Sequence, residues 1–166
     1  MADERAYATT RPVPPTLSDP LRSDYTPAMS HRPHFLQPLL KATGGDLALY
    51  VEGRDVILAS VLEGAFDSTS RNQGLLGRSA LAPDAALVIA PCSAVHTIGM
   101  HFPIDVIFAS RDGRVTKIRS AVPPRRMAIG LGAFAVIEMA AGEAARAGLQ
   151  TNDRLVVRPK PTGAAM

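Results

Sequence analysis

Asp112 and Gly113 stand between two runs of strand-forming residues, Val106 to Ala109 and Val115 to Ile118, and they commit the middle of the chain to a β-hairpin. A tight loop of this kind needs positive φ, which glycine supplies without steric cost. The flanking sequence extends the pattern. Asp46 to Tyr50 and Asp55 to Leu62, separated by Gly53 and Arg54, suit a second strand pair. Ala85 to Ala90 (AALVIA) is an unbroken apolar run of strand length, so burial on both faces is expected. Ala133 to Met139 and Asp153 to Val157 add two more strands, and Pro123 to Arg126 reads as an extended loop. Helix signals are fewer. Asp67, Ser68 and Thr69 offer N-cap oxygens for a short helix ending near Gly77, and Gly142 to Leu149 is Ala-rich until Gly148 stops it. Two short helices among about seven strands, without regular alternation, speak against a doubly wound parallel sheet. The expected fold is α+β, a mostly antiparallel curled sheet or a small barrel-like β domain.

The ordered domain is expected over residues 43–160. Before it, residues 1–42 are broken by Pro12, Pro14, Pro15, Pro20, Pro27, Pro33 and Pro38, which predicts a disordered leader outside the core. Residues 161–166 read as a disordered C-terminal tail, and Met29 is a second candidate start of translation. Phe35 to Leu40 is too short, and too interrupted by Gln37 and Pro38, to serve as a secretory signal. No apolar run reaches the roughly 18 residues of a membrane helix, so a soluble cytoplasmic protein is expected. With 46% apolar residues but only 5% aromatic and no Trp, the core must be built from Ala, Val, Ile and Leu. Stacking platforms for nucleic-acid bases are correspondingly scarce. The net charge of +3 comes from arginines scattered between Arg5 and Arg158 instead of clustered on one face, and no nucleic-acid partner is expected. Cys92 is the single cysteine and cannot form an internal disulfide.

Chemistry concentrates between Pro91 and Asp105 (PCSAVHTIGMHFPID). Cys92 and His96 are candidates for a thiolate and imidazolium pair with Asp105 orienting the ring, since a neighbouring cation lowers a thiol pKa. The bland alternative is an inert, half-buried thiol, the commoner state of a cysteine that follows a buried strand. Cys92, His96, His101 and Asp105 also include the donor types of a zinc or iron site, yet their spacing matches no recognised finger, and neither a metal nor another cofactor is expected. Asp105 lies in an apolar run (FPIDVIF) and needs a partner, because an unpaired buried charge is very costly. Arg78 is the favoured one for its two-pronged grip on a carboxylate, ahead of Arg125 and Arg126. Glu138, within AFAVIEMA, raises the same question and receives the same answer. Gly99 and Gly130 to Gly132 match no phosphate loop and read as turns.

Five separated motifs occur in order: Gly74-Leu75-Leu76-Gly77-Arg78, Pro103-Ile104-Asp105, Asp112-Gly113, Glu138 to Gly142, and Gly148-Leu149 with Asn152-Asp153. Over roughly residues 46–158 the chain thereby resembles the bacterial and archaeal domain of unknown function 192 family. The resemblance implies a compact, mostly β domain and no established activity. Where many members carry a Trp-Met-x-Asn-Thr run, this chain has His96-Thr97-Ile98-Gly99-Met100.

The expected function is that of a non-catalytic binding or accessory domain. Arg78, His96, Thr97, Met100, Asp105 and Arg125 are expected to line a polar groove for a small acidic or peptide-like ligand. The alternatives are a thiol- or metal-dependent enzyme using Cys92, His96 and Asp105, and a partner-binding role through a sheet edge.

Overall fold

The computed structural model describes residues 33–41, 46–54 and 56–161, all within a compact unit that begins at Pro33. In chain order the elements are α1 (Gln37–Lys41), β1 (Leu47–Val51), β2 (Val56–Ala59), β3 (Val61–Ala65), α2 (Ser68–Gln73), β4 (Ala85–Ile89), β5 (Ala94–His96), β6 (Ile104–Ala109), β7 (Val115–Val122), β8 (Met127–Ile129), β9 (Ala135–Ala140), α3 (Glu143–Arg146) and β10 (Leu155–Pro159). They build three open sheets, ordered β10-β1-β2, β3-β4-β9-β6-β7 and β5-β8. The fold is α+β and mostly β. Every named pairing is antiparallel except β3 with β4, which run parallel on either side of the crossover through α2.

Apolar continuity explains the middle sheet. β4 and β6 are buried at every position and β9 at all but its last, which requires cover on both faces. On one face Val88, Ile107, Ile137 and Met139 pack against Leu49, Val51, Leu58, Leu155 and Val157 of the first sheet. On the other, Leu87, Ile89, Val106, Phe108 and Val136 meet Leu75, Leu81, Met100 and Ala128, from the loop after α2, the segment between β5 and β6, and β8. Each buried Val, Leu or Ile contributes about 1.5–3 kcal/mol relative to exposure.

The Asp-Gly hairpin forms as expected between β6 and β7. Gly113 has φ +88, and a methyl there would lie 2.3 Å from the Leu155 carbonyl oxygen. Gly113→Ala is expected to cost about 2 kcal/mol, seen as a lower urea midpoint at unchanged slope. The pair expected from Asp46 to Tyr50 and Asp55 to Leu62 forms between β1 and β2, but the second run breaks at Ser60, and Val61 and Leu62 open β3 in the middle sheet; Asp55 lies outside the described residues. Asp67 is the N-cap of α2, where its carboxylate accepts the Ser70 N–H at 2.9 Å and Ser70 completes a capping box.

The leader expected over residues 1–42 needs correcting at its end. Leu36 is fully buried in the main core and α1 packs beside β10, so residues 33–41 belong to the domain. An isolated apolar Phe-Leu pair between prolines gave no periodic signal, because only tertiary packing holds so short a helix. Residues 1–32, 42 and 162–166 lie outside the described residues. The β5-β8 ribbon is likewise additional to expectation; its strands are three residues long and pair Ala94 with Ile129, Val95 with Ala128 and His96 with Met127.

Candidate functional site

A cavity of about 420 Å³ opens where α2 and its following loop lean over the end of the middle sheet. Its wall is made by Arg71, Leu76, Cys92, Val95 and His96, with Met100 beneath, and Glu138 belongs to the lining. The volume falls in the range of small-molecule sites, about 300–1,000 Å³. The local sequence produces the opening. Gly74 ends α2 with φ +49, Gly77 follows at φ +82, and the chain between them carries Leu75 into the core and Leu76 to the cavity.

Glu138 is the chemically unusual member. On β9 it pairs in register with Leu87 of β4 and Val106 of β6, so its side chain stands within an apolar layer, 4% exposed. No hydrogen bond from the described residues reaches its carboxyl. Burial pushes its pKa up to about 7, opposed by the nearby charge of Arg78. The sequence called for an arginine partner for Glu138, in an internal salt bridge or a ligand-binding pair; the favoured guanidinium, Arg78, is instead taken by another acid. Arg78 grips Glu63 through two hydrogen bonds, at 2.7 and 2.6 Å, and these hold the Glu63 carboxyl below its ordinary range.

Asp105 has no arginine partner either. It is fully buried at a bulge, where Ile104 pairs with Val122 but Val106 with Arg119, leaving two residues of β7 opposite one of β6. One carboxylate oxygen accepts the Ala121 N–H at 2.8 Å, and the other accepts the Gly142 and Ala144 N–H groups, each at 3.0 Å. Three backbone donors replace the expected Arg78 pair, tying β7 to the start of α3, whose own N-cap Gly142 has no side chain to offer. The acid of the Pro-Ile-Asp motif is thus structural and does not line the cavity.

The remaining candidates divide. Cys92, His96 and Met100 line the cavity. Cys92 is half-buried, its thiol donates to the Ala94 carbonyl at 3.1 Å, and burial pushes it up, away from thiolate. Thr97 is 1% exposed; its hydroxyl donates to the Pro123 carbonyl at 2.7 Å and accepts the Arg126 N–H at 2.9 Å, which pins two loops together. Arg125 is exposed, with φ +63, and touches the window only through its backbone N–H to the Thr97 carbonyl. Among the described residues no three His, Cys, Asp or Glu side chains converge as a metal set, and Asp105 is spent on amides.

Sequence reasoning missed Arg71. Its guanidinium donates to the Phe66 carbonyl at 2.8 Å while facing the cavity. An arginine on a six-residue helix carries no periodic signature; the one readable hint was Glu138, a lone acid in an apolar run.

Two solved structures share this fold. One is a candidate transcription regulator from Sinorhizobium meliloti 1021, with a TM-score of 0.56 and 24% identity, over 66% of this chain and 89% of that one. The other is a protein of unknown function from Novosphingobium aromaticivorans DSM 12444, with a TM-score of 0.58 and 23% identity, over 66% of this chain and 81% of that one. No curated protein matches the sequence. The DUF192 profile, described as Uncharacterized ACR, matches residues 51–157, a span that takes in the whole middle sheet and every residue of the cavity; the chain belongs to this family.

Proposed function

We propose that this domain is a non-catalytic binding module that receives a small peptide-like molecule in the cavity beside Glu138. The observation that carries the reading is an open cavity of about 420 Å³ lined by a buried carboxyl and, on its wall, a guanidinium. A purely acidic ligand is less well served, since Arg78 is engaged with Glu63 and Arg125 lies elsewhere. A peptide-like molecule offers both kinds of group: N–H donors for the carboxyl, and carbonyl or carboxylate oxygens for the unused N–H groups of Arg71. The enzyme reading lacks its activated nucleophile, because the Cys92 thiol is displaced toward the protonated form and Asp105 cannot orient His96.

Ala94 borders the cavity yet is itself exposed, so a large side chain there fills the opening with little strain in the core. In a thermal-shift screen of acids, amines and short peptides, compounds that raise the melting temperature of the wild type are expected to lose that effect on Ala94→Trp. A library in which no compound separates the two proteins would count against the reading.

A further inference from the structure

The cavity offers one acidic group whose needs the protein itself leaves unmet. Glu138 is 4% exposed, lies on the cavity wall, and meets no donor from the described residues. Its neighbours across the sheet, Leu87 and Val106, are apolar. The polar groups around it make their hydrogen bonds elsewhere, although Arg71 keeps N–H groups free for a ligand. Arg78, on the loop after α2, forms its bidentate pair with Glu63. Arg71, on α2, holds the Phe66 carbonyl at 2.8 Å, and the Cys92 thiol is turned to the Ala94 carbonyl. His96 stands exposed on β5. A carboxyl kept in such a place costs stability unless something entering the cavity supplies donors. An amide N–H satisfies one lone pair, whereas an ammonium brings three N–H groups and the opposite charge.

We propose that Glu138 is the anchor for a ligand ammonium group, so that the molecules recognised are free amino acids or short peptides with an unblocked N-terminus. This deepens the binding reading above and rests on it. The ligand enters amine first, its ammonium on the Glu138 carboxylate, and its carboxylate end remains toward the Arg71 side of the cavity.

A matched pair of probes tests this: trialanine and N-acetyl-trialanine, titrated against the wild type, Glu138→Gln and Ala94→Trp by calorimetry. Wild type is expected to bind trialanine about tenfold or more tightly than the acetylated peptide, the scale of one charge-assisted hydrogen bond. Glu138→Gln, which keeps size and shape, is expected to erase that preference, with cooperative urea unfolding followed by circular dichroism certifying its fold. Equal affinity of the wild type for both peptides, or a preference that survives in Glu138→Gln, overturns the ammonium assignment and leaves a peptide-binding cavity intact. If neither peptide binds the wild type more tightly than it binds Ala94→Trp, the cavity is not a peptide site and both readings fall.

Discussion

Replacing Asp105 with alanine is expected to cost about 4 kcal/mol of folding stability, more than either of the other two buried polar side chains among the described residues, Thr97 and Glu138. The carboxylate is fully buried and accepts three backbone N–H bonds, from Ala121, Gly142 and Ala144. Hydrogen bonds to a charged group contribute about 1.5–3 kcal/mol each, and each donor left without an acceptor in the interior costs about 1–3 kcal/mol. Full addition overshoots, because the α3 end can open to water and recover part of the loss. Asp105→Asn separates charge from acceptor count. With its amide oxygen turned toward Gly142 and Ala144 it keeps two bonds and sets an NH₂ against the Ala121 N–H, so a loss of about 2 kcal/mol is expected. Urea unfolding followed by circular dichroism reads both variants. A loss under 1 kcal/mol for the alanine variant is incompatible with this role for Asp105.

The same residue marks the boundary of what a single sequence discloses. Its need for a partner was legible, because a carboxylate in FPIDVIF has no cheap alternative. The partner's identity was not: backbone amides exposed by a bulge and by a helix start leave no trace in residue types, whereas arginines do. The strands were legible for a related reason. Runs such as AALVIA and the Asp-Gly turn record local backbone preference and burial together, and β4, β6, β7, β9 and β10 fall where those signals lie. The ribbon of β5 and β8 was not, since Ala-Val-His and Met-Ala-Ile are too short to show a period. The cavity was half visible. Cys92, His96 and Met100 sit in the stretch from Pro91 to Asp105, where the chemically active residue types cluster, while Arg71 and Leu76 reach the cavity only through the α2 crossover. Thr97, expected to line the groove, uses its hydroxyl as a clasp between loops.

Glu138 should make the protein less stable in alkaline than in mildly acidic solution, and its replacement by glutamine should remove that dependence. Burial raises its pKa from 4.5 to about 7 in the folded state. The folded chain therefore holds this proton more tightly than the unfolded one. Stability from the protonated carboxyl is complete below pH 4.5, declines as pH rises through the window up to about 7, and is gone above it. A difference of about 2.5 pKa units corresponds to roughly 3 kcal/mol. Other groups titrate across the same range, so the quantity to measure is the difference in unfolding free energy between wild type and Glu138→Gln in urea. Any constant offset from the amide cancels, and this difference is expected to shift by about 3 kcal/mol in favour of the variant between pH 4.5 and 8.5. A difference that stays flat would place the carboxyl in water or on an unrecognised partner, and with it the reason to expect a ligand on Glu138 would disappear. The cost of this acid is thus tied to its use: a leucine at the same register would pack between Leu87 and Val106 without penalty.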